Sequence, residues 1–408
     1  MISRLLAPTA FFFASYLHAA DWPQWRGPDG QGHAEGSGYP LEWSETQHVA
    51  WKTAIPGRGW SSPIVLGEQI WMTTAIEVPI SPEKEKARLK ANTSDQPLTV
   101  LEEVKLHAVC VDKASGKTLH NVALHTERDP QWVHKLNSYA SCTPVAEPGR
   151  LYCHFGSFGT FCVDTDAGKV LWKNTDTALK LMHENGPGSS AILWQDKVIF
   201  HGDGSDVQFV AALDKATGKL VWKTKRTGEM HSNPQLKKSY ATPLVLEMGG
   251  KPVLFSQGAN WLYGYEPASG KELWKVSYGT LGFSLSARPV AGHGMFFMST
   301  GFMKPQMMAV KYADMSAPEV AWTSAKSAPT MPSPLLVGEE LYFVNDGGIL
   351  VCLDAKTGAE HYRERLADTA GAKRMGGTYN ASPLVAEGRI YLCNREGVTH
   401  VIAPGKTY

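Results

Sequence analysis

The phrase DKATGKLVWK at 214–223 returns as DTDAGKVLWK at 164–173, EPASGKELWK at 266–275, DKASGKTLHN at 112–121 and DAKTGAEHYR at 354–363. Aligned on its glycine, it sets Gly116, Gly168, Gly218, Gly270 and Gly358 in register. Asp112, Asp164, Asp214, Glu266 and Asp354 precede them at one fixed offset, and His120, Trp172, Trp222, Trp274 and Tyr362 follow at another. A further copy, DMSAPEVAWT, keeps Asp314 and Trp322 and puts Pro318 in the glycine place. An acidic side chain can accept turn amides, and glycine supplies a positive φ. The phrase therefore predicts a tight turn leading into an outer strand that opens with a large ring.

A second landmark lies upstream in each unit, where a small residue and proline lead into an apolar strand. The segments are SSPIVL, CTPVAE, SSAILW, ATPLVL, ARPVAG, PSPLLV and ASPLVA, marked by Pro63, Pro144, Ala191, Pro243, Pro289, Pro334 and Pro383. After a first gap of 81 the spacing stays between 45 and 52. Short alternating apolar runs at a period of about 48 predict an all-β chain, a β-propeller of seven four-stranded blades. The long first gap holds an insertion over 77–105. Ser81 and Pro82 there have the chemistry of a helix cap and first turn, so a charged helix is expected over about 82–91.

Ring closure is read from the last unit. It supplies ASPLVA, RIYLCN and THVIAPGKTY, with Gly405 in the landmark place and no residue after Tyr408 for the aromatic. HVAWKTAIPG around Trp51 matches the missing outer strand. It is expected to close the ring by pairing with 398–403 at the open edge.

The formal net charge of +1 argues against nucleic acid and anionic membranes as partners. MISRLLAPTAFFFASYLHAA, residues 1–20, has the pattern of a secretory signal peptide, with a single domain expected over 21–408. No later stretch reaches the ~18 apolar residues of a membrane span. Of the six cysteines none lies near residue 20, so the expectation is an exported monomer, periplasmic or secreted, without a lipid anchor. No C-x-x-C occurs. Cys153 and Cys162 flank a turn and could face each other. Cys110, Cys162 and Cys352 instead share one repeat position, which suggests small buried side chains and free thiols.

Loops leading into each first strand meet near a propeller's axis. They hold Arg58 and Trp60; His134, Asn137 and Tyr139; His183, Glu184 and Asn185; His231 and Asn233; Phe283 and Arg288; Met331; and Arg374, Tyr379 and Asn380. Arg58, Trp60, His134, Asn137, Tyr139, His183, Asn185, Arg288 and Asn380 are the candidate ligand-binding residues, suited to a small polar or anionic molecule. HGDGSD, with His201, Asp203 and Asp206, lacks the spaced ligands of a calcium loop and reads as turn chemistry. HENGPGSS offers one Glu beside a His, too little for an acid–base pair. No catalytic or metal residue is assigned.

The D-x-x-x-G-K-x-x-W repeat with its S-x-P openings resembles the quinoprotein-type, PQQ-like β-propeller repeat. DWPQWRGPDGQG, NSYASCTPV and FGSFGTFCVDTDAGKVLW are similar to segments of exported bacterial PQQ-binding-like, BamB-like propeller proteins. The resemblance spans 21–408. It implies the fold, and it implies PQQ as a cofactor to consider. Such relatives typically carry one more C-terminal hairpin, so an eight-blade relative shortened at its end is the alternative. Quinoprotein enzymes set adjacent cysteines against the quinone, and no two cysteines here are adjacent. The expectation is a non-enzymatic scaffold binding a protein or small molecule. The alternative is a PQQ- or metal-dependent periplasmic oxidoreductase.

Overall fold

The computed structural model describes residues 21–92, 96–313, 317–366 and 379–408. The leader expected at 1–20, and Asp314 and Arg374, lie outside them. The chain is all-β, and its four-stranded sheets number seven among the described residues. Sheet 3 shows the plan. Ile192–Trp194, Lys197–Asp203, Gln208–Asp214 and Leu220–Lys225 pair antiparallel in chain order. Sheets 1, 2, 4, 5 and 6 repeat it from first strands at Ile64, Val145, Leu244, Val290 and Leu335, and sheet 7 opens at Leu384.

The repeated phrase forms the turn between third and fourth strands. Asp214 Oδ1 accepts from the Thr217 amide at 2.8 Å and its hydroxyl at 2.7 Å, and Gly218 sits at φ +71°. The tryptophan of one sheet lies on the turn of the next. Trp172 Nε1 donates to Lys215 O (3.0 Å), Trp222 to Pro267 O (3.2 Å) and Trp322 to Ala355 O (3.0 Å). A Cβ on Gly218 would lie 2.3 Å from the Trp172 ring, so the turn glycine is required twice, for φ and for contact. Trp172 and Trp222 are buried, whereas Trp274 and Trp322 are half-buried.

Each of these six sheets has a bulge at one place, immediately after Cys110, Cys162, Ala212, Gly264, Ala309 or Cys352. The small residue lies opposite the ring that opens the fourth strand; at Gly264 a Cβ would meet Trp274 at 2.1 Å. The shared cysteine position is thus a clearance for a ring. The bulge turns the extra residue outward, leaving Leu119, Leu171, Val221 and Leu273 exposed. Cys153 pairs with Phe161 while Cys162 pairs with Tyr152, so the two thiols point to opposite faces of sheet 2. All six cysteines are free, five of them buried.

The hydrophobic core is a series of layers, each between successive sheets from 1 and 2 through to 6 and 7. A relay of hydroxyls ties the first strands together. The amide of Ser62 donates to Thr143 Oγ1, that of Thr143 to Ser190 Oγ, and that of Ser190 to Thr242 Oγ1. After a break at Arg288, its amide donates to Ser333 Oγ and that of Ser333 to Ser382 Oγ. This is the reason for the small residue before the proline.

The N-terminal segment joins the last sheet differently from expectation. No strand forms around Trp51, and 398–403 has no such partner. Instead His33–Ala34 pairs parallel with Val385–Ala386, at the opposite edge of sheet 7. Trp22 exchanges backbone bonds with Val65 of sheet 1. Residues 21–34 thus form a strap touching both terminal sheets. Trp51 nevertheless fills the repeat's aromatic place, donating from Nε1 to Lys113 O at 3.0 Å and lying over Gly116. The helix expected in the insertion spans Pro82–Leu89, with Ser81 capping the Lys84 amide. The flanking strands lengthen to Gln69–Pro79 and Leu101–Asp112, longer than those of any other sheet.

Candidate binding face

In an antiparallel four-strand meander, the lead-in to strand one and the hairpin between strands two and three fall at the same end. Contacts place them together here. Ser205 of one hairpin donates its amide to Met182 O of the lead-in loop, and in sheet 6 the lead-in Thr330 donates its amide to the carboxylate of Asp346 in the hairpin. This loop end carries most of the candidate residues.

Arg58 donates to Lys135 O at 2.6 Å, stands 3.9 Å from Glu77 and lies 5.5 Å over the Trp60 ring. Burial raises the Glu77 pKa, and Arg58 opposes that rise. Trp60 is 58% exposed. His134 pairs with Leu98 in a two-stranded ribbon, accepts from the Leu136 amide at Nδ1, and has its pKa lowered by desolvation. Asn137 is saturated. Its amide donates to Asn185 O and Pro187 O, and its oxygen accepts from Ser138 N and Ser141 Oγ. Asn185 takes part in these contacts through its backbone oxygen.

Three candidates turn inward. Tyr139 is buried and donates to Gln131 O, and burial raises its pKa. His183 is buried, accepts from the Ser157 amide at 2.9 Å, and is pushed down to about 4 by desolvation. A Cβ on Gly156 would lie 2.2 Å from His183 Nε2, so the imidazole is packed into a backbone turn. Arg288 is buried against the strap. Asn380 lies apart from all of these, its amide 2.6 Å from Met331 Sδ.

Polar groups outside the candidate set are also committed. Asp203 forms a fully buried two-pronged pair with Arg226 at 2.6 and 2.7 Å. His201 bonds Ser256 Oγ, and Asp206 accepts from the Met182 and Val207 amides. Glu184 accepts from Ser205 Oγ and stands 3.6 Å from the buried Lys238 ammonium. Desolvation lowers the Lys238 pKa, and Glu184 opposes it. No cluster of metal-ligating side chains occurs among the described residues.

Composition of the loop end outside the polar set was not anticipated. Leu136, Met182, Val207, Phe302, Met303 and Met331 are exposed there beside Trp60. Phe302–Met303 pairs with Gly282–Phe283 as a small ribbon. Met303 is 69% exposed at φ +79°, a backbone region that favours glycine. Val207, Phe302 and Met303 sit at hairpin tips and Leu136, Met182 and Met331 in lead-in loops; none follows a repeat pattern, and of the six only Met331 is singled out by its lead-in position.

A family model described as outer membrane protein assembly factor BamB matches residues 67–257 and 208–407. Among curated proteins none matches the sequence. The solved structure of BamB from Moraxella catarrhalis is similar, with TM-score 0.53 and 16% identity over 76% of this chain and 83% of that one. A europium-containing methanol dehydrogenase gives TM-score 0.54 and 11% identity over 93% and 89%. Quinohemoprotein alcohol dehydrogenase from Comamonas testosteroni gives 0.50 and 12% over 93% and 77%. At these identities the likeness is one of fold.

Proposed function

The chain belongs to the PQQ-like repeat family described as outer membrane protein assembly factor BamB, and from that premise we propose an exported propeller scaffold that docks a protein partner on its loop end. The seven sheets are read as seven blades, with the strap joining the last to the first. Residues 1–20 are read as the export leader.

One observation carries this reading. The loop end exposes Trp60, Leu136, Met182, Phe302, Met303 and Met331, while its polar side chains Asn137, Asp203 and Glu184 are bonded internally. Exposed apolar groups among satisfied polar ones suit a protein interface better than a small-molecule site. Trp60 beneath Arg58 is the natural anchor, since aromatic and arginine side chains dominate interface energies.

The test uses the mature chain and a Trp60→Ala, Phe302→Ala, Met303→Ser variant as baits in native envelope extract. One partner retained by the first and lost by the second supports docking. The same preparations are supplied with PQQ and calcium and assayed for dye-linked alcohol oxidation. Turnover at equal rates in both, without a retained partner, would favour the oxidoreductase.

A further inference from the structure

Two arginines lie beneath the strap with no carboxylate bonded to either. Arg26 comes from the strap and Arg288 from the lead-in to sheet 5, and both are buried. Arg26 donates to the carbonyls of Pro383, Gln31 and Pro334 at 3.0, 2.8 and 2.8 Å. Arg288 donates to Trp25 O and, at 3.0 Å, to Gln24 Oε1. Every acceptor is neutral. Among the described residues neither guanidinium has an ion pair within 4.0 Å. The Nε atoms of both are buried without a partner.

The same chain shows the compensated alternative. Arg226, equally buried, is matched by the Asp203 carboxylate through two short bonds. A buried charge is ordinarily paired, because leaving it unpaired costs several kcal/mol. Arg26 and Arg288 also repel each other. Arg26 is held down at about 9 by burial and by Arg288, and Arg288 at about 10 by burial. Asp29 acts on both from a distance, but it is exposed and accepts from the Gln31 amide.

The strap is shaped around these groups. Gly30 and Gly32 have positive φ, and a Cβ on either would lie 2.5 Å from the guanidinium of Arg288 or Arg26. The strap's carbonyls and the lead-ins of sheets 6 and 7 take the Nη side. The Nε side of each guanidinium is left over, and a flat N–H edge matches an oxyanion.

We propose that Arg26 and Arg288 form a binding site for a phosphate-sized oxyanion, enclosed by residues 24–32 and supplying the missing counter-charge. The ligand would join the strap to the first strands of sheets 5, 6 and 7. Binding would therefore stabilise the folded chain by mass action.

The experiment is calorimetric titration and thermal unfolding of the full mature chain in chloride at constant ionic strength. Inorganic phosphate and succinate are the separate probes. Wild type, Arg26→Met and Arg288→Met are compared with the exposed control Arg128→Met. One saturable phosphate equivalent is expected in wild type and the control, weakened at least tenfold in either buried variant. The unfolding midpoint should rise with phosphate in wild type and the control and in neither buried variant. Should the buried variants fail to fold, the wild-type titration still decides. Absence of saturable phosphate binding, binding of succinate but not phosphate, or an unchanged affinity in Arg288→Met overturns the proposal.

Discussion

The two ends of the sheets are built on opposite terms. At the turn end one solution recurs: an acidic cap, a glycine at positive φ, and a ring from the preceding segment lying on the glycine. At the loop end, beyond the hydroxyl relay that the lead-ins share, polar groups settle each other case by case. The lesson concerns where change is tolerated. Substitutions at the turn end act on the contact between sheets, whereas the exposed apolar residues of the loop end can vary without disturbing it. Individual recognition belongs at the end that does not repeat.

The contrast is most exposed to refutation at Trp222, which is buried and holds the next turn. Trp222→Ala should cost about 3–5 kcal/mol in denaturant unfolding, the usual loss for a large ring in a core. A cost below about 1 kcal/mol would mean that the indoles do not bind the sheets together. Trp51→Ala sharpens the point, since Trp51 lies in no strand yet occupies the same place on the sheet 1 turn. Its loss should cost about 2–4 kcal/mol, between the core value and that of a surface ring. A neutral outcome would separate the N-terminal segment from the repeat.

Acid reaches both ends: the buried His183, pushed down to about 4, resists protonation as pH falls below its ordinary 6.5, and the turn end responds through its carboxyls at lower pH. Asp214 and Asp354 are held below the ordinary value of 3.8, chiefly by the hydroxyls of Thr217 and Thr357. Asp164 is held below it chiefly by the Ala167 amide. A depressed carboxyl contributes its full stability above 3.8 and loses it as pH falls through the lower folded value. Stability should therefore decline below about pH 4, and an Asp214→Asn, Asp354→Asn variant should show a shallower acid limb. Identical limbs in the two proteins would remove the turns from the acid response. The smallest effect belongs to the loop end: Met303→Ser should change stability by under about 0.5 kcal/mol while weakening partner capture.

The turn end was legible because its constraints fall at fixed offsets. The acidic residue, glycine and ring of DKATGKLVWK each answer a local demand, and five of the seven sheets carry all three. The cysteine position was legible as small, but its cause, clearance for a ring behind a bulge, needed the pairing. The closing strand was misread. HVAWKTAIPG fits the aromatic place, and Trp51 does occupy it, yet the paired residues are His33 and Ala34. Two parallel residues within RGPDGQGHAEG give no alternation to detect. The inward turn of Tyr139, His183 and Arg288 was likewise hidden, since lead-in position alone does not say which way a side chain points.

The pairing of His33 with Val385 has a temporal side. At about 5–20 residues per second, the stretch that separates them takes roughly 20–70 s to synthesise. Throughout that interval the part of the strap from Arg26 to Ala34 has no seat, because the carbonyls of Pro334 and Pro383 that hold Arg26 do not yet exist. The earliest part of the fold to leave the ribosome is thus the last to be placed. Sheets 1 to 6 can accumulate in order through neighbouring contacts, but the final step waits for both ends of the chain. Truncation near residue 384 should leave the strap unplaced, and a protease should then cut within 21–54 before touching any sheet.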